Sequence, residues 1–160
     1  MKFWEDIAVG ERVEIGSYTF TTENIKAFAR RFDPQPFHLD EAAAARSHFR
    51  ALCASGWHTA SVWMRLMVEY QRRADDALRT QGQPVAMLGP SPGFRELKWL
   101  KPVYVGDIVT YSTEILEKRA SNSRPNWGLM SIRNSGVNQK SEPVISFISV
   151  AFVERKKGAA

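Results

Sequence analysis

The stretch WHTASVWMRLMVEYQRRADDALR, residues 57–79, decides the fold of this chain. Its apolar residues recur at spacings that place them on one helical face, namely Ala60, Trp63, Met64, Met67, Ala74 and Leu78. The first half carries further apolar side chains off that face, so apolar groups nearly surround it. The second half is polar. This pattern predicts a long helix that is buried deeply at first and reaches solvent before Gly82 and Pro84 end it.

The chain that follows this helix predicts a β-sheet. Four runs rich in β-branched and aromatic residues, separated by turn-forming residues, cover 94–103, 107–119, 127–137 and 142–155. Strands that follow each other through short connections form antiparallel pairs. We therefore expect an α+β fold, in which a curved antiparallel sheet built as a meander wraps one long central helix.

The segment before the long helix predicts shorter elements. Residues 1–21 contain short extended pieces, and Thr22 is suited to cap a helix over 23–31. Asp40 precedes the alanine-rich run EAAAARS, 41–47, and predicts a second short helix there.

The composition is that of an ordinary globular protein. Of its 160 residues, 44% are hydrophobic and 24% are charged, which allows a sizeable core. We find no internal repeat, so residues 1–160 are expected to form one domain, with 155–160 as a disordered C-terminal tail. The single cysteine, Cys53, indicates a reducing compartment, and the N-terminus does not read as a signal peptide. No apolar run approaches the roughly 18 residues that span a bilayer, so we expect a cytoplasmic protein without a membrane partner.

The net charge of +5 suggests an anionic partner. The basic residues are scattered and accompany no nucleic-acid-binding signature, so we do not expect nucleic acid as that partner. A small ligand with phosphate groups is the simpler explanation. The three histidines, His38, His48 and His58, lack metal-ligand spacing, and we expect no metal site.

The sequence DPQPFH, residues 33–38, is the first candidate site. Its two prolines restrict the backbone and predict a stiff, extended loop between Asp33 and His38. Such a loop can hold a carboxylate and an imidazole at fixed points around one substrate atom, as proton transfer requires. An ordinary loop that happens to contain both residues fits the spacing as well.

The sequence ALCASGWHTA, residues 51–60, is the second candidate site. Ser55 and Gly56 lie where the buried helix begins, so backbone N–H groups are free there and the positive end of the helix faces outward. Glycine lets a ligand approach the backbone closely, which suits a carbonyl oxygen that gains negative charge. Alternatively, Ser55 is a helix cap and Gly56 only eases packing.

Three segments in this order resemble one family: DPQPFHLDEAAAARSHF at 33–49, ALCASGWHT at 51–59 and WLKPVYVGD at 99–107. They look like the MaoC-like dehydratases, relatives of the R-specific enoyl-CoA hydratases. The resemblance runs from about residue 5 to residue 153. SNSRPNWG at 121–128 is similar to a segment of the subgroup that carries DPQPFH.

This resemblance implies a hotdog fold and a homodimer or dimer-based oligomer. It also implies a lyase that reversibly hydrates a 2-enoyl-CoA to the 3-hydroxyacyl thioester. By the same resemblance Asp33 and His38 form the catalytic dyad and the Gly56 N–H forms the oxyanion hole. Ser55, Trp57 and Phe37 are the candidate substrate-binding residues. No cofactor is implied, because coenzyme A is part of the substrate.

Two positions depart from the family pattern. Gln35 stands where the family commonly has asparagine, and Met64 stands where the hydratases place a serine on the long helix. Two other functions stay open for the same fold: an acyl-CoA thioesterase and a non-catalytic acyl-CoA-binding dimer. A thioesterase has no particular need for both Asp33 and His38, and a binding protein gains little from them.

Overall fold

The computed structural model describes residues 1–158 and contains the long helix expected from the sequence. After a short 3₁₀ turn at Trp4–Asp6, the elements are β1 (Arg12–Thr19), α1 (Thr22–Phe32), α2 (Pro36–Leu39), α3 (Glu41–Arg46), α4 (Gly56–Thr80), β2 (Gly93–Trp99), β3 (Ile108–Ala120), β4 (Trp127–Val137) and β5 (Pro143–Glu154). Among these residues, no helix is both long and apolar enough to cross a membrane.

Helix α4 confirms the prediction made for residues 57–79. Its buried residues all lie in the first half, at His58, Thr59, Val62, Trp63 and Leu66. Gly82 follows the helix with a positive φ of 68°, a conformation that glycine adopts without strain. The first half of the helix is therefore packed in the core, and the second half reaches solvent.

The sheet confirms the antiparallel prediction but corrects the strand order. The strands lie in the order β1-β3-β4-β5-β2, so only β3, β4 and β5 form a meander. Strand β2 pairs with β5 rather than with β3, because β1 and β4 occupy both edges of β3. The connection from β2 to β3 must therefore cross between distant strands. It runs past the start of α4, where Ala54 N donates to Val103 O over 2.8 Å.

The core lies between the sheet and the buried half of α4. Ile15, Phe20, Val109 and Ile145 are fully buried there. The Tyr111 hydroxyl of β3 donates to the Thr59 carbonyl over 3.0 Å, which ties the sheet to the first turns of α4. This packing fixes the start of α4 relative to the sheet.

Caps set the limits of the shorter helices. Helix α1 is capped by Thr21 and not by Thr22, because the Thr21 and Asn24 side chains each accept a hydrogen bond from the backbone N–H of the other residue. Asp40 caps α3 as expected and accepts from Ala43 N over 2.7 Å. The 33–38 segment lies between the end of α1 at Phe32 and the cap of α3 at Asp40.

The C-terminal residues continue along the N-terminal segment. Arg155 Nε donates to Glu5 Oε1 over 2.9 Å, and Lys156 N donates to Glu5 Oε2 over 2.9 Å. These are the first two residues of the segment 155–160 that we expected to be disordered. Residues 159–160 of that segment lie outside the described residues.

Candidate active site

The sequence predicted that the DPQPFH segment is extended throughout, and this prediction is wrong for its second half. Asp33 ends α1, Gln35 is extended at φ −74° and ψ 139°, and Pro36 begins the single helical turn α2. Proline is favoured at the first position of a helix because its missing N–H is not needed there and its φ already fits. The turn brings His38 to the buried side of the segment, where it faces Asp33.

His38 is held by polar groups at both ring nitrogens and is only 4% exposed. Its Nδ1 lies 2.7 Å from the Cys53 carbonyl oxygen, and its Nε2 lies 3.5 Å from Asp33 Oδ2. A carbonyl oxygen only accepts, so Nδ1 carries the proton and donates it. The neutral ring therefore presents the lone pair of Nε2 toward the carboxylate of Asp33.

The environment of Asp33 favours its ionised form. Gln35 Nε2 donates to Asp33 Oδ1 over 2.9 Å. Burial raises the pKa of Asp33, but hydrogen bonds from the Ser55 and Gln35 side chains outweigh it, and the charge of His38 adds to them when that ring is protonated. The net effect holds the pKa of this carboxyl below its usual value. Asp33 is thus a carboxylate at neutral pH.

The start of α4 offers one free backbone donor. The Trp57 N–H donates to Ser55 Oγ, and the next two N–H groups donate to the Ser55 carbonyl. The Gly56 N–H has no acceptor among residues 1–158. Ser55 is thus the helix cap that we expected from the sequence as the alternative to a site residue. Its hydroxyl also hydrogen-bonds Asp33.

Gly56 is a position where a side chain does not fit. A Cβ built on this residue would lie 2.5 Å from the Trp99 indole, well inside van der Waals contact. The indole ring of Trp99 therefore packs directly on the Gly56 backbone.

One open cavity of about 490 Å³ brings the candidate residues together. Its lining includes all six residues singled out from the sequence, which are Asp33, Phe37, His38, Ser55, Gly56 and Trp57. Trp57 is exposed and makes an edge-to-face contact with Trp99 at 5.2 Å between ring centroids. The Asp33 carboxylate, the His38 imidazole and the free Gly56 N–H therefore border the same space.

The cavity also contains residues that sequence reasoning missed. The end of β2 and the crossing connection supply one wall, formed by Trp99, Leu100, Lys101, Pro102 and Val103. This stretch is typical of a strand followed by a tight turn, and only the crossing connection from β2 to β3 brings it to the cavity. His48 and Phe49 lie on the opposite rim. An exposed tryptophan at the end of an edge strand was the one available signal.

His58 lies outside the cavity lining despite its place in the GWH sequence. It stacks on Phe28 with ring centroids 4.6 Å apart, and its Nδ1 is buried without a partner among the described residues. Burial lowers the pKa of His58 to about 4. Across residues 1–158, no group of three or more His, Cys, Asp or Glu side chains is placed to hold a metal ion.

Comparison with known proteins assigns the chain to a family. The sequence model of the MaoC like domain matches residues 6–128, so the chain belongs to this family. A crystal structure of the MaoC-like dehydratase from Rhodospirillum rubrum is 38% identical, covers 98% of this chain and 99% of its own, and superposes with a TM-score of 0.79. The resemblance noted from the three sequence segments is thereby confirmed.

Two further proteins are similar in sequence, and one further solved structure is similar in fold. The uncharacterized protein YdeM of Bacillus subtilis is 26% identical over 140 residues, which are 88% of this chain and 90% of that protein. Mesaconyl-CoA hydratase of Cereibacter sphaeroides is 32% identical over 68 residues, 42% of this chain and 20% of that protein. A double-hotdog protein of Mycobacterium tuberculosis, 17% identical, covers 99% of this chain and 46% of its own with a TM-score of 0.69. The fold is the hotdog fold.

Proposed function

We propose that this protein reversibly hydrates a 2-enoyl-CoA to the 3-hydroxyacyl-CoA, as a lyase of the enoyl-CoA hydratase type. The observation that carries the proposal is the pair of acceptors Asp33 Oδ2 and His38 Nε2, 3.5 Å apart in the cavity that also holds the free Gly56 N–H. Hydration needs a held water and a donor to a carbonyl oxygen, and these groups suit both tasks. The names of the R. rubrum dehydratase and of mesaconyl-CoA hydratase support this class of reaction.

One water molecule bridges Asp33 and His38 from the cavity side in this proposal. Two acceptors do not bond to each other, but the two O–H groups of a water can donate to both. The oxygen lone pairs of the water then point toward C3 of the enoyl group. The lowered pKa of Asp33 makes its carboxylate a weak base, so Asp33 orients the water and His38 Nε2 accepts the proton.

The bonds change in two linked steps. The water oxygen bonds to C3 as its proton moves to His38, and the C2=C3 π electrons shift so that the thioester oxygen becomes negative. His38 then returns the proton to C2, the carbonyl re-forms and the imidazole is neutral again. Both additions occur on the face of the double bond that looks toward His38.

Gly56 stabilises the thioester oxygen while it is negative. Its N–H is the free donor at the positive end of α4, and one such donor contributes about 3 kcal/mol to a transition state of this kind. The Cys53 carbonyl has a separate task, because its hydrogen bond keeps His38 in the tautomer with Nε2 free.

The acyl chain of the substrate occupies an apolar crevice beside the cavity. Trp57 borders both spaces, and the crevice continues between Ala60 and Met64 of α4 and Leu97 and Phe147 of the sheet. Its walls are almost entirely apolar, which suits a hydrocarbon chain. The net charge of +5 favours the approach of the phosphate groups of coenzyme A.

We also propose a homodimer, assembled through β2, in the cytoplasm. Strand β2 is a sheet edge with a free row of backbone N–H and C=O groups. Pairing with a second β2 edge would satisfy those groups. The buried Cys53 thiol fits a reducing compartment.

Purified protein mixed with crotonyl-CoA and a panel of longer, branched and dicarboxylic enoyl-CoAs tests the proposed reaction. We expect loss of the enoyl absorbance without release of free thiol. Release of thiol would identify a thioesterase instead. Binding of the panel without either reaction would identify a non-catalytic acyl-CoA-binding protein.

A further inference from the structure

We propose that the indole N–H of Trp99 is a second donor to the thioester oxygen and completes the oxyanion hole with Gly56. This role rests on the proposed hydration reaction. Trp99 would then be a catalytic residue, although it lies on the edge strand β2 and far along the sequence from Asp33, His38 and Gly56.

The backbone at the start of α4 cannot supply a second N–H donor. Ser55 accepts hydrogen bonds from the N–H groups of Trp57, His58 and Thr59, through its hydroxyl and its carbonyl. Of the four backbone N–H groups at this helix end, only that of Gly56 has no acceptor among residues 1–158 and is left for a ligand. A second donor to the same oxygen has to come from a side chain, and the indole of Trp99 is the one that lies directly against Gly56.

Trp99 Nε1 lies within reach of an oxygen bound to Gly56. It is 2.5 Å from the position of a Cβ on Gly56. Backbone geometry puts that position about 2.5 Å from the Gly56 nitrogen, so the two nitrogen atoms are at most about 5 Å apart. One oxygen accepts from two donors when it lies about 2.7–3.1 Å from each, which spans up to about 6 Å. The separation therefore permits a shared oxygen.

The indole N–H is available for this role. Trp99 is 47% exposed and lines the cavity that contains Asp33 and His38. No acceptor for its Nε1 occurs in the described part of the chain. Indole N–H donates and never accepts, so its partner in the cavity must be an acceptor, such as the negative thioester oxygen.

The ring is positioned by two neighbours and by the pairing of its strand with β5. Its face packs on the Gly56 backbone, and Trp57 contacts it edge to face. Its backbone pairs with Ile145 of β5, and the next residue, Leu100, donates to Val144 O over 2.8 Å. A donor held in this way needs little reorganisation when charge develops on the oxygen.

Replacement of the N–H at constant ring shape tests the role of Trp99. We would measure kcat and KM for the best enoyl-CoA of the panel with Trp99→Phe and with 3-benzothienylalanine at position 99, in which sulfur replaces N–H. Both changes should lower kcat by about 100-fold and alter KM little, because the hydrogen bond strengthens only as the oxygen becomes negative. Trp127→Phe is the matched control, since it removes an indole outside the cavity, and its kcat should equal that of wild type.

A second measurement separates a hydrogen bond from a packing effect. Infrared spectra of bound butyryl-CoA with a ¹³C-labelled thioester carbonyl should show a lowered stretching frequency in the wild type and a smaller shift in both Trp99 variants. A lost kcat with an unchanged carbonyl shift would reduce Trp99 to a wall of the cavity and overturn its assignment. Wild-type kcat in both variants would overturn it while leaving the hydratase intact. A wild-type protein inactive on the whole panel would remove both proposals.

Discussion

Two buried histidines, His38 of α2 and His58 in the first turn of α4, have surroundings that differ in kind. His38 has a carbonyl oxygen at Nδ1, a carboxylate at Nε2 and an open cavity beside it. His58 is packed by Phe28, Phe20 and Tyr18, and its Nδ1 has no partner in the described chain. We call this second group the aromatic cluster. Burial alone therefore does not indicate function, whereas polar partners that fix a tautomer and point it into a cavity do.

The comparison makes a double prediction. Changes at the His38 site should reduce activity and leave stability nearly intact, because its side chains border a cavity. Changes in the aromatic cluster should act on stability and leave activity intact, because no substrate reaches it. Each variant below tests one half of this division.

The largest effect is expected at the catalytic pair. Asp33→Asn and His38→Ala should each lower kcat at least 1,000-fold, about the upper part of the range for loss of an acid–base group. Asp76→Asn is the matched control, since Asp76 is an exposed carboxylate in the polar half of α4. Circular dichroism should show native structure in all three variants. A near-normal rate in either variant of the pair would contradict the mechanism.

The next effect is expected at Gly56. In Gly56→Ala the new methyl group meets the Trp99 indole at 2.5 Å, so the ring must leave its place on the backbone. We expect kcat to fall roughly 100-fold, as for loss of one oxyanion donor, while the melting temperature changes little because the displaced ring is exposed. Addition of Trp99→Ala should relieve the contact without restoring kcat. A large fall in melting temperature with normal kcat would show that Gly56 serves packing alone.

The part of this site that could be predicted from the sequence is the part carried by short segments. Asp33, His38 and Gly56 lie within motifs whose spacing and turn chemistry can be read directly. Trp99 could not be found in this way, since its position depends on β2 pairing with β5 and on the crossing past α4. The helical turn at Pro36 was missed for a different reason, because proline suits both an extended loop and a helix start.

The long helix and the strand segments were predictable because each carries its own hydrophobic pattern. Strand order was not, because a pattern along one strand records that a face is buried and does not identify the neighbouring strand. Sequential strands are neighbours in most sheets, and this sheet departs from that tendency at β2 and β3.

The third effect concerns stability in acid and arises in the aromatic cluster. Burial lowers the pKa of His58 to about 4, so the unfolded chain binds a proton near pH 6.5 and the folded protein only near pH 4. Between these values the unfolded state binds more protons. The free energy of unfolding therefore decreases as the pH is lowered from 6.5 to 4, by about 3 kcal/mol in total. His58→Phe, which keeps an aromatic ring in the cluster, should lack this decline.

Urea unfolding at pH 7 and pH 4.5 measures the His58 effect. The difference between the two pH values should be smaller in His58→Phe than in wild type, and kcat at pH 7 should be unchanged. His48→Gln is the control, because His48 is exposed and should leave the pH dependence as it is. Equal pH dependence in wild type and His58→Phe would show that His58 takes up its proton in the folded state at ordinary pH.

The smallest effect is expected at Gln35, which supports the Asp33 carboxylate of the His38 site. Gln35 donates to Asp33 Oδ1, and its loss in Gln35→Ala should raise the pKa of Asp33 toward its usual value. As the pH is lowered, the rate of Gln35→Ala should therefore begin to fall at a higher pH than the rate of the wild type. The difference should be small, because Gln35 is exposed and water replaces part of its hydrogen bond.

The acid limb of the Gln35 variant can be observed only in a protein that stays folded there. We would therefore compare kcat between pH 3 and pH 7 for Gln35→Ala and Gln35→Asn in the His58→Phe background. The alanine variant should lose activity first on acidification, since asparagine retains an amide donor at the position where relatives commonly have it. An unshifted acid limb in both variants would mean that the Ser55 hydroxyl alone keeps Asp33 ionised, and Gln35 would then act only on the shape of the cavity.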